Sequence, residues 1–415
     1  MMIRNLGERY SPLYFLASLG FGGMSVLFFM NLMHLTDHPD TPMPTVESIA
    51  ATFSSAGFAM RTLIVVAYLG FFTFFAIHLY LLAWNIREFR MWKHTAAYRD
   101  TIKSNAEVTL LAVPLTIGMS VNGLFVMGMI SVPRLWDVIE YLMPVAIIAY
   151  GSVGILALVY LGRYLNRVIH HGFNFKANGG LNQLLASFAF AMVAVGMAAP
   201  AAMSHTPLTV VIAFSLAVFF TMISVLLFLV FLPLGFMSML RYQLSLANSA
   251  TLWLGIPIMT LWAITVLRLR HGVATLALLK PDAEPIPGTS MGVFVFLAVV
   301  FFAQLVFLAM GHLAMRSNGF YRQFVFSRNE LSPAAFTLVC PGVALGVVSF
   351  FFLNVGFAKN NIFPVGSPGF AAMLLATYGI QIATLVLMGA LVRNQLWRRN
   401  DRAGKETTAS LALAN

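Results

Sequence analysis

The sequence is poor in charge. Only 9% of its 415 residues are Asp, Glu, Lys or Arg, whereas soluble globular domains usually carry about 25%. Hydrophobic residues make up 60% of the chain. So little polar surface cannot cover a water-soluble globule, which excludes a soluble enzyme, a disordered protein and a nucleic-acid-binding protein. The composition is that of a polytopic integral membrane protein, with the lipid bilayer as its partner.

Cysteine is almost absent as well. Cys340 is the only one, so no disulfide can form within the chain, and no CxxC or CxxCH pattern is present. There is also no Walker motif, and no long polar stretch separates the apolar runs. These absences argue against a primary pump driven by nucleotide hydrolysis. We expect neither an enzyme nor a bound metal or cofactor.

Apolar runs dominate what remains. A membrane-spanning helix needs about 20 apolar residues, and the first such run is too long for a cleaved signal peptide. We therefore predict an all-α integral membrane protein, with one transmembrane domain over residues 1–400 and a short polar cytoplasmic tail over 401–415. The ten predicted spans are residues 13–36, 57–85, 106–131, 136–161, 181–203, 207–235, 248–270, 290–316, 333–358 and 369–393.

Basic residues predict the orientation. Most of the 25 Lys and Arg residues fall on one side of the predicted spans, and cytoplasmic loops are the ones enriched in Lys and Arg. The even number of spans then places both termini in the cytoplasm, as expected for a multi-pass protein of a bacterial inner membrane. The opposite side receives Arg61, Arg134, Arg268, Arg270, Lys280 and Lys359, so no Lys or Arg is expected at mid-membrane.

Helix breakers and small polar residues alternate along the spans. They concentrate in the odd-numbered helices, whereas the even-numbered ones are more uniformly Leu, Phe, Val and Met. Ordinary close packing of helices can explain this pattern. A water-filled path lined by the odd-numbered helices also explains it, because such a path satisfies backbone groups that proline leaves free. The predicted lining residues are Gly22, Gly23, Pro114, Asn122, Pro200 and Pro257.

Histidines offer a different possibility. His34, His78 and His312 fall within or at the end of predicted spans. Haem between membrane helices needs histidines at matched depth on facing helices, so a membrane anchor of a quinone-linked redox complex is the alternative function. Hydrogen-bonded or interfacial histidines would give the same pattern. A non-transporting structural or assembly factor is a third interpretation.

Three segments resemble a known family. Arg316–Gly346 contains Leu331-Ser332-Pro333 and Cys340-Pro341-Gly342, and it is similar to the ninth-helix signature of the tellurite-resistance/dicarboxylate transporter family. Plant slow anion channels and bacterial sulfite exporters belong to this family. Thr101–Thr116 and Leu246–Met259 resemble the starts of its third and seventh helices. The TsoY-type branch, some of whose members are selenoproteins, is also similar.

The resemblance implies five helical hairpins around a central pore, with trimers that carry one pore per subunit. It implies a passive or secondary transporter of small anions, such as sulfite or related sulfur and chalcogen oxyanions, inorganic anions or dicarboxylates. A homotrimer is therefore a possible assembly.

One departure from the family concerns the gate. In the family a phenylalanine before the ninth-helix proline closes the pore, and here Cys340 occupies that position before Pro341. A thiol is too small to form the same plug, so Phe336 or Phe350 is expected to occlude instead. Alternatively, Cys340 is a small apolar packing residue, as buried thiols usually are.

Overall fold

The computed structural model describes residues 2–277, 291–327 and 330–397. Within these ranges the chain forms ten helices that are long and apolar enough to cross a membrane, which confirms the predicted all-α membrane fold. The predicted tail over residues 401–415 lies outside the described residues, as does the predicted start of the eighth span at residue 290. The helices are α1 Pro12–Leu35, α2 Phe58–Trp92, α3 Asn105–Ser131, α4 Leu135–His171, α5 Leu184–Met203, α6 Pro207–Tyr242, α7 Leu246–Ala277, α8 Met291–Ser317, α9 Pro333–Asn360 and α10 Pro368–Leu396.

Three even-numbered helices are longer than the apolar runs that predicted them. α2 continues to Trp92, α4 to His171 and α6 to Tyr242. The extra turns carry charged residues such as Arg87, Arg90 and Arg167, so they add helix without adding apolar sequence. Here "inner" denotes the end at which the odd-numbered helices begin, and "outer" denotes the opposite end.

Burial follows the predicted alternation. In the most apolar stretch of each helix, between 67% and 94% of residues are buried in the odd-numbered helices, against 17% to 33% in the even-numbered ones. Each odd-numbered helix also contacts the even-numbered helix that follows it. The odd-numbered helices therefore form the interior. The even-numbered helices present large apolar side chains on the sides of the bundle, as a lipid environment requires.

Four odd-numbered helices begin in the same way. Each opens with a 3₁₀ segment directly after a serine: Ser11 before Pro12, Ser104 before Asn105, Ser245 before Leu246 and Ser332 before Pro333. In the first three, the serine hydroxyl accepts a hydrogen bond from a backbone N–H in the first turn, which caps the helix. This shared start is a structural repeat that the sequence shows only weakly.

The inner part of the bundle is tightly packed. Tyr14 and Phe336 are almost fully buried, with their ring centroids 6.3 Å apart. The Trp84 ring lies edge-on to Tyr14, with the centroids separated by 5.6 Å. The segment before α1 is fastened here as well, because the Glu88 carboxylate accepts hydrogen bonds from the backbone N–H groups of Asn5 and Leu6.

The outer surface carries a short helix, Val46–Ser55, that joins α1 to α2. Thr45 and Ser48 form a capping box at its start. The Glu47 carboxylate accepts a hydrogen bond of 2.6 Å from the backbone N–H of Arg134, between α3 and α4. This contact ties the short helix to the neighbouring pair of spans.

Candidate functional site: a central cavity

A cavity of about 770 Å³ lies among the helices. All five odd-numbered helices contribute to its wall, and α4 is the one even-numbered helix that lines it among the residues described. Its innermost lining includes Leu19, Phe188 and Cys340, one turn or less into the regular α-helical parts of α1, α5 and α9. The Tyr14–Phe336 packing lies nearer the inner end, so the cavity is closed there.

The loop after α1 covers part of the outer mouth. His38, Thr41 and Met43 in this loop line the cavity. The His38 ring is fixed on both sides, since Nδ1 lies 2.9 Å from the carbonyl oxygen of Thr41 and Nε2 lies 3.0 Å from that of Met33. The loop is therefore held against the end of α1 instead of standing free.

The charged residues of the lining are all basic. Arg268 and Arg270 come from α7 and Lys359 from the end of α9, and His38 and His271 add titratable rings. Among the described residues, no Asp or Glu lines the cavity. A cavity with charge of one sign concentrates counter-ions, because its low-dielectric walls focus the field. The charge of the described lining therefore favours anions over cations.

Arg268 is the most enclosed of these cations. It lies nine residues before the end of α7 at Ala277, which is about 13 Å along the helix axis. Its Nη1 donates a hydrogen bond of 2.8 Å to the carbonyl oxygen of Val195 on α5. Arg268 therefore lies within the helix bundle, whereas the expectation that no Arg or Lys lies at mid-membrane stays a prediction. The cluster Arg268, Arg270 and His271 looks like a helix end in the sequence, but the helix continues for two further turns.

Uncharged polar side chains also face the cavity. Tyr150 comes from α4 and is 4% exposed, and Asn122 comes from α3. Neither side chain hydrogen-bonds to another described residue. Thr260 lines the cavity too, but its hydroxyl is engaged, since it receives a hydrogen bond from Gln304 Nε2 at 2.7 Å and lies 3.1 Å from the carbonyl oxygen of Ala344.

The residues predicted to gate a pore occupy different places. Cys340 lines the cavity, whereas Pro341, Phe336 and Phe350 are outside the lining that the described residues form. Phe336 packs in the inner region. The Phe350 ring stacks on His34, with centroids 5.8 Å apart, and lies edge-on to Tyr378, so it fills the contact between α1, α9 and α10.

Four of the six predicted lining residues face the cavity: Gly23, Asn122, Pro200 and Pro257. Gly22 instead packs against Met119 and His78, where a β-carbon would come within 2.7 Å of the methionine side chain. Pro114 is buried in α3, away from the cavity.

His78 has a partner for each ring nitrogen. Nδ1 lies 2.8 Å from the carbonyl oxygen of Ser18 on α1, and Nε2 lies 2.8 Å from the Ser120 hydroxyl on α3. The ring therefore joins three helices, and neither nitrogen is available to a haem iron in this arrangement. His312 is exposed on α8, and its Nδ1 lies 3.1 Å from the Tyr321 hydroxyl. Among the described residues, no hydrogen bond or ring contact joins it to His78.

Sequence reasoning did not single out Arg268 as a lining residue, nor Tyr150. The apolar residues Val273, Ala274 and Leu276 follow the basic cluster, and they were the available sign that α7 continues. Tyr150 gave no signal of its own, because one tyrosine in an apolar helix is typical of both packing and binding roles.

Comparison with known proteins adds no assignment: no protein-family model matches the chain, and no curated protein matches it.

Proposed function

We propose that this protein is an anion channel or secondary transporter. Its substrates would be small anions: sulfite or related sulfur and chalcogen oxyanions, inorganic anions or dicarboxylates. They would cross the membrane through the interior of the bundle, along the odd-numbered helices. The resemblance of the third, seventh and ninth helices to the tellurite-resistance/dicarboxylate transporter family supports the same proposal.

One observation carries the proposal. The cavity reaches from the outer mouth to Cys340, and its charged lining residues are Arg268, Arg270 and Lys359, with no carboxylate among the residues described. Bilayer interiors exclude charge strongly, so an arginine there is usually functional. Positive side chains along a path favour anions over cations.

Several finer features belong to the same proposal. The path would open at the inner end by movement of the side chains packed beyond Cys340. The membrane would be a bacterial inner membrane with both chain termini in the cytoplasm, and the assembly would be a homotrimer. The five hairpins of the resembled family would then surround one pore in each subunit.

Anion flux through the purified protein in liposomes tests the proposal. Sulfite, chloride, nitrate and malate form the test set, and Cys340→Phe is measured beside the wild type. The larger ring would fill the innermost part of the cavity against Leu19 and Phe188. We expect flux of at least one anion in the wild type, and a loss of about tenfold or more in Cys340→Phe, which corresponds to about 1.4 kcal/mol in barrier height.

Cys340→Ala is the matched control, because it removes the thiol without filling space, and it should conduct like the wild type. A wild type that passes none of the four anions contradicts the proposal. Equal flux in Cys340→Phe and wild type would show that the path does not run past Cys340.

A further inference from the structure

Arg268 has unused hydrogen-bonding capacity. A guanidinium carries five N–H donors in a planar fork, and the described residues give Arg268 a single hydrogen bond, to the carbonyl oxygen of Val195. The described residues also give it no carboxylate partner, since the two ion pairs between them are Arg134–Asp137 and Arg167–Glu107. Burying a cation without an acceptor is costly. Arg268 lines the cavity, so a ligand there can supply acceptors for the remaining donors.

Tyr150 lies beside the same stretch of α5. Its ring covers Gly196, where a β-carbon would come within 2.1 Å of the ring, so only glycine permits this approach. Val195, which binds Arg268, is the adjacent residue. Tyr150 and Arg268 are close enough to interact electrostatically. A tyrosine and an arginine therefore line the cavity beside adjacent residues of α5, and both side chains carry donors suited to an acid group.

The wall between this place and Cys340 is apolar. Ile264 and Leu261 continue the Arg268 side of α7 inward, and Met192 and Val347 face them from α5 and α9. Thr260, eight residues before Arg268, lies about 12 Å further in, and its hydroxyl is already engaged within the protein. An ion that loses its water here finds few groups to replace it.

Two apolar side chains of the cavity lining are largely exposed. Leu124 on α3 and Val145 on α4 line the cavity, and they are 48% and 58% exposed. Exposed apolar side chains therefore border the cavity between α3 and α4. A border of this kind suits a ligand with an apolar body.

We infer that the cavity binds an organic anion with one acid group and an apolar body. The carboxylate or sulfonate lies against Arg268 and Tyr150, and the apolar body extends toward Cys340. This inference rests on the proposed function and narrows its substrate class. A volume of about 770 Å³ is typical of sites for whole organic ligands, and it is far larger than a bare inorganic ion needs. A dicarboxylate would place its second charge against the apolar wall.

Binding to the purified full-length protein in detergent tests the inference. Hexanoate is compared with adipate, which has the same number of carbons and a second carboxylate, and with hexylamine, which reverses the charge. Chloride represents inorganic anions. We expect hexanoate to raise the thermal midpoint of unfolding and to bind at least tenfold more tightly than the other three.

Variants locate the acid group. Arg268→Gln should weaken hexanoate binding at least tenfold, and Arg268→Lys should weaken it less, because the charge remains while the planar fork is lost. Tyr150→Phe keeps the ring over Gly196 and should weaken binding several-fold. Arg134→Gln is the matched control: Arg134 is exposed on the outer surface, and its side chain pairs with Asp137 away from the cavity. Partition of hexanoate into the detergent is the same for all variants.

Equal binding of hexanoate and adipate would overturn the inference, and so would unchanged hexanoate binding in both Arg268→Gln and Tyr150→Phe. These outcomes are separable from failure of the proposed function. Flux of sulfite or chloride without hexanoate binding would retain the transporter and reject this substrate class. Hexanoate binding that depends on Arg268, with no flux of any anion, would retain the site and reject transport.

Discussion

The inner and outer halves of this helix bundle are built from the same five helices but differ in packing. In the inner half, large aromatic side chains such as Tyr14 and Phe336 fill the space between helices. In the outer half, the same helices line a cavity of about 770 Å³ with basic residues on its wall. The contrast teaches that an almost uniformly apolar sequence can build both a tightly packed region and a cavity with a basic wall. Side-chain volume and a few cations distinguish them.

The largest expected effect compares one phenylalanine from each half. Phe336→Ala should destabilise the protein by about 3 kcal/mol, because Phe336 is 1% exposed and its removal leaves a void in a packed region. Phe29 lines the existing cavity, so Phe29→Ala should cost less than half as much. Unfolding of both variants in the same detergent measures the difference. Equal losses would show that the outer half is as tightly packed as the inner one.

A smaller effect is expected for the hydrogen bonds that join inner helices. His78→Leu removes contacts with Ser18 on α1 and Ser120 on α3, and bonds between membrane helices contribute about 0.6 to 2 kcal/mol each. We expect a loss of about 1 to 2 kcal/mol in unfolding free energy. His312→Leu is the control, because His312 is exposed on α8 and its change should have almost no effect. A His78→Leu variant as stable as the wild type would show that these hydrogen bonds do not stabilise the inner half.

The smallest effect concerns the outer surface. The backbone N–H of Arg134, followed by the Thr45 side chain, holds the pKa of Glu47 below its ordinary value of 4.5. Because the pKa of Glu47 is lowered in the folded state, this contact stabilises the protein at pH values above the ordinary pKa of 4.5. The stabilisation is lost as the pH falls through the lower pKa of the folded state. Glu47 is exposed, so the contribution is well below about 1 kcal/mol. Glu47→Gln should flatten the pH dependence of thermal unfolding slightly between neutral and acidic pH. If thermal unfolding of the wild type and of Glu47→Gln depends on pH in the same way, this contact does not contribute to stability.

Much of this architecture was predictable from hydropathy. Runs of about 20 apolar residues permit only helices in a bilayer, so ten spans followed directly. The concentration of Gly and Pro in alternate runs predicted which helices would be buried. The even-numbered helices exceeded their predicted ends because charged turns such as the one containing Arg87 continue a helix without being apolar.

The cavity wall was harder to predict, since hydropathy does not show which way a side chain faces. Gly22 and Gly23 are adjacent, yet only Gly23 lines the cavity. Phe350 packs between His34 on α1 and Tyr378 on α10 instead of facing the cavity. Arg268 was placed on the outer side, at the end of the predicted span 248–270, because the basic cluster there looks like the end of a helix. Its contact with Val195 depends on the packing of α5 against α7, which no local pattern encodes.

The most direct test of the account is anion flux in proteoliposomes, with K⁺ permeability supplied separately so that charge movement does not limit the rate. Wild type, Arg268→Gln and Arg134→Gln are compared for sulfite and chloride. The account predicts anion flux in the wild type, an equal rate in Arg134→Gln, and a rate lower by about fivefold or more in Arg268→Gln, because the enclosed charge attracts the ion. Cation flux in place of anion flux, or an Arg268→Gln variant that matches the wild type, would contradict it.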